Sequence, residues 1–333
     1  MQQQIKDLEP AAAVAAPGMA RRETSRALRL LRANATLAAF AALFLVLSVS
    51  SDAFLTSANL LNLLDQNAAI GIVACAGTLV VIAGGFDLSV GAVFAIAGVC
   101  AAKAANAGSP LLGLLAAIAV GAALGVGNGL LVTVGRINSF IGTLASMYMI
   151  RGLALVITGG FLITVEDPGF ATLGTGRVAG VSYASLVFLA VAALTAVLLH
   201  RSVFGRHVFA AGDNPDAARL SGIPVARTRA LTFVLSGACA GLAGAILASR
   251  VSTGQADAGA GMELAAIAAV VIGGTSIAGG EGAVWRSVVG VFLLALISNG
   301  FNLLDVEPVY QQIVQGAIIA IAVGADAWSR RRA

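Results

Sequence analysis

The sequence predicts an all-α polytopic membrane protein of about ten transmembrane helices, N-in and C-in, with a short cytoplasmic helix between spans 6 and 7. Three observations predict it. Of 333 residues, 59% are hydrophobic and only 11% charged, at a mean hydropathy of +0.94. Soluble domains carry roughly 25% charged residues, so there is too little charge here to coat a water-facing surface. Apolar runs of bilayer-crossing length recur along the chain, each crossing needing about 20 residues. The basic residues, finally, gather on one side of those runs.

In chain order, residues 1–34 form a basic cytoplasmic tail with an Ala/Pro-rich stretch and Arg21, Arg22, Arg26, Arg29 and Arg32, expected to be partly disordered. Residues 35–329 read as one transmembrane domain and 330–333 as a basic end. The first apolar run, 35–51, follows too long a basic segment for a signal peptide and reads as an uncleaved helix. Span 2 is placed at 60–82, span 3 at 88–104, span 4 at 111–134 and span 5 at 139–158. A polar, Gly-rich stretch from Gly159 to Gly180 precedes span 6 at 181–199, and a hydrophilic loop runs from His200 to Arg229. Spans 7 to 10 fall near 230–249, 263–278, 284–301 and 309–325.

Ten crossings from a cytoplasmic N-terminus put Lys6, the tail arginines, Arg136, Arg201, Arg206, Arg219, Arg227, Arg229, Arg286 and the arginines at 330–332 inside. Only Lys103, Arg177 and Arg250 then lie outside, with Arg151 within a span. A wrong span count would scramble this asymmetry. The net charge of +4 is therefore a membrane-orientation signal and not a nucleic-acid surface, since no basic stripe with interleaved aromatics exists. Cys75, Cys100 and Cys239 lie in apolar stretches without metal spacing and read as small packing residues.

Enzymatic function is disfavoured by the same inventory. Both histidines, His200 and His207, sit in the cytoplasmic loop, so no His-based relay or metal site is built within the membrane. The two lysines, Lys6 and Lys103, stand in no G-x-x-x-x-G-K-[ST] loop, so the chain has no Walker A cradle. No cofactor is indicated. Transport driven by ATP would need another subunit to supply the ATPase.

The loop from Gly205 to Pro224 is the most structured polar feature. Asn214 is a good N-cap, Pro215 suits the first helical position, and Asp216 complements the positive helix end. Gly222 can close the helix in a left-handed conformation, and Pro224 prevents its extension. A helix of two turns bearing Ala217, Ala218 and Leu220 is marginal alone, so its capping points to a docking role.

This loop, from Gly205-Arg206 through Gly212–Ala218 to Ser221-Gly222-Ile223, resembles that of ribose/xylose/galactose-type ABC sugar permeases. The turn Gly84-Gly85-Phe86-Asp87-Leu88-Ser89-Val90-Gly91 is similar to the family's GGxDLSVG signature. Further similarities are Gly135-Arg136-Ile137-Asn138-Ser139-Phe140-Ile141-Gly142-Thr143-Leu144, Arg151-Gly152, and Val271-Ile272-Gly273-Gly274-Thr275-Ser276 with Gly279-Gly280. They spread over about 55–325; the stretch Ala211-Gly212-Asp213-Asn214 departs from the pattern, where the family usually has two glycines before Asn. The resemblance implies a dimeric permease of the bacterial inner membrane, fed with a small neutral sugar by an extracytoplasmic binding protein. Cytoplasmic ATPase subunits would drive it, seated on the capped helix as a coupling helix. Related cargoes, a nucleoside or a sugar-derived signal, stay open, as does an ion-coupled secondary transporter. The last requires acidic or His residues at mid-membrane, where only Asp65 and Asp87 are available.

Polar residues within the membrane are costly and tend to face a cavity or another helix. Asp87 is either a gate or turn element or a plain cap of span 3 assisted by Ser89. Arg151 is expected to pair with a carboxylate or carbonyls, or to snorkel outward. Asn128, Asn138, Thr143, Asn299 and Asn302 can hydrogen-bond a neutral polyol or simply glue helices together. Gly121/Gly125 and Gly237/Gly241 are small-xxx-small pairs, read as packing or dimer surfaces.

Overall fold

The computed structural model describes residues 36–307, together with 309–311, 313–314, 316–317, 320 and 324. The expectations for the tail, for 330–333 and for much of the tenth span lie outside the described residues. Among these, seven helices are long and apolar enough to cross a membrane. They are α2 (Ser57–Ile82), α3 (Val90–Ala107), α4 (Pro110–Thr133), α5 (Ser139–Thr158), α7 (Tyr183–Arg201), α10 (Val225–Val251) and α12 (Val284–Leu303). Two shorter apolar helices, α1 (Thr36–Ser50) and α11 (Met262–Ile272), occupy the predicted first and eighth spans.

Local chemistry sets most of the ends. The side chain of Thr56 accepts the Asn59 N–H to start α2, that of Ser109 accepts Leu112 N–H beside Pro110 to start α4, and that of Asn138 accepts Phe140 N–H to start α5. Gly159, at φ +63°, ends α5 in the left-handed conformation that glycine adopts without penalty. The most buried helices are α2 and α3, with α4, α5 and α7 toward the periphery. One apolar core joins Ile72, Leu79 and Ile82 of α2 with Val93 and Phe94 of α3, Phe188 of α7 and Ile246 of α10.

The stretch from Gly159 to Gly180 is compact. Strand β1 (Ile163–Thr164) leads into a 3-10 turn (Pro168–Ala171), the one-turn α6 (Thr172–Thr175) and the hairpin β2 (Arg177–Val178)–β3 (Val181–Ser182). Strand β4 (Thr253–Gly254) pairs antiparallel with β1, Ile163 opposite Gly254. Ser249 Oγ of α10 accepts Gly174 N–H at 2.8 Å and donates to the Phe170 carbonyl, pinning this segment to the helix end. Asp65 anchors it to α2, accepting from Arg177 Nη2 at 2.8 Å and from the Ser182 and Ser185 hydroxyls.

Two expectations are corrected. The predicted eighth span at 263–278 is an 11-residue helix, about 16 Å long against a hydrocarbon core of about 30 Å. The preceding chain covers part of that depth, through the short strand Thr253–Gly254 and a run of turns at 256–261. Gly254 lies against Val99 and Ala102, and Gly259 against Phe94 and Gly91, so the backbone retreats along α3 before α11 begins. Irregular backbone at such depth is tolerated because protein surrounds it. The predicted loop 200–229, second, is mostly helical, with α8 (Val203–Asp213) and α9 (Pro215–Leu220) joined through Asn214.

Candidate functional site

A buried polar node forms where the chain leaves α2 and turns into α3. Asp87 is 6% exposed, and its Oδ1 accepts the Ser89 N–H at 3.0 Å and the Ser89 hydroxyl at 2.6 Å. Its Oδ2 accepts the Ser236 hydroxyl of α10 at 2.8 Å. Ser89 Oγ in turn accepts Asn128 Nδ2 of α4 at 2.7 Å. From α5, Thr143 Oγ1 accepts Leu88 N–H at 3.0 Å and Ser139 Oγ accepts Phe86 N–H at 3.1 Å. Three helices thus satisfy the backbone and side chains of one turn, where an orphaned polar group would cost several kcal/mol (~) in hydrocarbon. Asp87 is more than a cap of α3, because it ties the turn to α10. Ser89 stands at the N-cap position without making a side-chain cap bond.

The other in-membrane candidates separate from this node. Asn138 is exposed and caps α5, and Asn302 accepts Gln311 Nε2 at 2.8 Å near the end of α12. Asn299 exchanges amide hydrogen bonds with Asn59, at 2.8 and 3.2 Å, which ties α12 to α2. These three act as caps and helix glue. Arg151 is half-buried on α5 and meets neither a carboxylate nor a carbonyl among the described residues. Its expected internal pairing is absent there.

The segment α8–α9 presents a second constellation. Asn214 Oδ1 accepts Ala217 N–H at 3.0 Å, and Pro215 opens α9. At the other end Gly222, at φ +81°, sends its N–H to the Arg219 carbonyl while Ile223 N–H reaches the Ala218 carbonyl, both at 3.0 Å. This is the Schellman arrangement, and Ile223 packs beside Ala218 as its apolar contact. Six residues are thus held helical by caps at both ends and by packing of Ala218 against Ala211 and Val225. The outward side carries Ala217 and Leu220, the latter 91% exposed. Arg206 is exposed on α8. Gly205 and Gly212 are buried and belong to packing, where a Cβ would collide with the Leu198 carbonyl and with Gly280 N respectively.

A family model described as branched-chain amino acid transport system / permease component matches residues 59–323. The chain belongs to this family of permeases. The ribose import permease of Bacillus subtilis is 42% identical over 287 residues, covering 85% of this chain and 89% of that protein. The ribose import permease of Escherichia coli K12 is 40% identical over 300 residues, 87% and 92% of the two chains. The L-arabinose ABC transporter permease of Azospirillum brasilense is 36% identical over 333 residues, 100% of this chain and 97% of that one. No solved structure matches the chain. This permease is a multi-pass protein of the inner membrane.

Between α4 and α5 the permease carries an open groove of about 610 Å³, lined by Gly127, Asn128 and Leu131 on one wall and Ser146, Met149 and Leu153 on the other. Asn128 is among the residues lining this groove, and its Oδ1 is buried without a hydrogen-bond partner among the described residues. Ser139 and Ser236 escaped the reading of the sequence because serine on an apolar helix is common and their partners are remote. Glu263 escaped it as well. It is 8% exposed at the start of α11, packed where Gly91 leaves no room for a Cβ.

Proposed function

We propose that this permease is the membrane-spanning subunit of an ATP-binding-cassette importer that carries a monosaccharide inward, driven by a separate ATPase subunit. An extracytoplasmic sugar-binding protein delivers the cargo, and two copies of the permease form the translocation unit. Relatives named for ribose and for L-arabinose, at 42% and 36% identity, make a pentose the first cargo to test. The proposed topology is ten spans within 35–329, with the basic ends 1–34 and 330–333 in the cytoplasm, as the distribution of arginines favours.

The observation that carries the reading is α9, a doubly capped helix that offers Ala217 and a 91% exposed Leu220 to the surroundings. A large apolar side chain so presented on a fixed helix fits insertion into a partner's groove. In this role α9 is the coupling helix, with the exposed Arg206 of α8 available for acidic groups of the ATPase. The α4–α5 groove, lined by Asn128, is the proposed wall of the pathway, and the second copy closes it. Arg151, which has no partner among the described residues and does not line the groove, snorkels outward to water and does not rest in hydrocarbon. The apolar lining gives a neutral sugar little to hold on to, which suits a path that must release its cargo.

The test is reconstitution of the permease with its ATPase and binding protein, comparing wild type with Leu220→Asp. The variant is expected to stay folded, to lose association with the ATPase and to lose ATP-driven uptake. Full association and uptake by Leu220→Asp would remove the docking role from α9.

A further inference from the structure

The end of α8 meets the α2–α3 turn and the 273–283 loop through closely approaching backbone. Gly280 N–H donates to the Ile82 carbonyl at 2.9 Å. A Cβ on Gly279 would lie 3.1 Å from both Gly212 Cα and Gly84 Cα, so three chain segments converge where no side chain fits. Arg229, in the second turn of α10, reaches this junction. Its Nε donates to the Ala83 carbonyl at 2.9 Å and its Nη2 donates to the Ala211 carbonyl at 3.0 Å.

The two acceptors belong to different elements. Ala83 is the C-cap of α2, and Ala211 lies in the last turn of α8. Helix C-termini leave carbonyls without intrahelical partners and carry partial negative charge, so one guanidinium serves both. About two turns further along α10, Ser236 holds Asp87 Oδ2. The same helix therefore grips the α2–α3 turn at its beginning, through Ala83, and near its end, through Asp87. It also packs at Val225 against Ala218 of α9.

We infer that Arg229 is a positioning residue that clamps the α8–α9 segment to the α2–α3 turn. A displacement imposed on α9 then moves the Asp87 node as part of the same body. The inference rests on the coupling role proposed for α9. The guanidinium meets the two carbonyls with two different nitrogens held at a fixed spacing, whereas lysine keeps the charge on a single nitrogen and loses that geometry.

The permease, reconstituted with its ATPase and binding protein in proteoliposomes, is compared as wild type and Arg229→Lys. ATP hydrolysed per sugar imported is expected to rise about tenfold in Arg229→Lys, within the usual span of coupling energies, with ATPase association unchanged. An unchanged ratio overturns the clamp. A second measurement leaves Arg229 in place and joins Asp213→Cys to Glu281→Cys, both exposed positions, with a short bis-maleimide. Import is expected to survive this cross-link, because the joined parts travel together, and its abolition overturns the clamp. Loss of docking in Leu220→Asp is read separately. If Leu220→Asp still binds the ATPase, the coupling role of α9 fails, whereas normal coupling in Arg229→Lys with docking intact sinks the clamp alone.

Discussion

Substitution Gly237→Ala probes the seam between α4 and α10. There Gly121 and Gly125 meet Gly237 and Gly241, so the two small-residue pairs that stand out in the sequence are each other's partners within one chain. A Cβ on Gly237 would lie 3.0 Å from both the Gly121 carbonyl carbon and Gly125 Cα, and closer still to the Gly121 oxygen. Carbon atoms are at their optimum near 3.5–4.0 Å, so the helices must part by roughly 0.5–1 Å, a gap that forfeits a quarter to a half of the contact energy along the seam. Overpacking of this kind costs about 1–3 kcal/mol. Alanine also favours a helix over glycine by up to ~1 kcal/mol, which would mask part of the loss. Gly127→Ala on α4 is the control, since a Cβ there meets nothing within 4 Å and keeps the propensity gain. Denaturant unfolding of both variants in the same micelles, followed by circular dichroism, isolates the steric contribution. Gly237→Ala is expected to be less stable than Gly127→Ala by about 1–3 kcal/mol. Equal stability would refute the tight α4–α10 seam.

Ser236→Ala removes one of the donors to Asp87 and should cost about 1–3 kcal/mol in the same unfolding assay, the penalty of a buried acceptor left short; no loss would mean that the α10 link to the turn carries no energy. Ala217→Arg should leave unfolding unchanged and reduce ATPase association, whereas Ala218→Arg, at a 5% exposed position, should reduce the amount of folded protein. The opposite order would reverse the faces assigned to α9. Arg177→Ala should cost at most about 1 kcal/mol, because the arginine side of its pair with Asp65 is 46% exposed. Asp65→Ala should cost more, since it removes the carboxylate that accepts from both buried hydroxyls, Ser182 and Ser185; a smaller loss for Asp65→Ala in the unfolding assay would contradict this.

What could be read from the sequence was local. The capped helix at 214–222 is legible because Asn214, Pro215 and Gly222 satisfy their own neighbours, and the structure forms it over Pro215–Leu220. Span 5 is legible at both ends for the same reason, with Asn138 and Gly159 as its caps. Remote partners hide the other features. The Gly-rich turns before α11, at 256–261, have a course along α3 that is recognisable only beside that helix. Helix α8 was missed because its charged and apolar residues look like loop when their burial partners are unseen. In the node, Asp87 stands out as a lone acid, but its partner Ser236 is 149 residues away. The four candidates Asp87, Ser89, Asn128 and Thr143 come together there, while Asn138, Arg151, Asn299 and Asn302 do not.

The most direct measurement is accumulation of labelled ribose and L-arabinose by proteoliposomes holding the permease, its ATPase and its binding protein. Accumulation above the bath concentration should require ATP and the binding protein, and should be indifferent to proton and sodium ionophores. Accumulation without ATP, driven by an imposed ion gradient, would contradict an ATP-driven sugar importer.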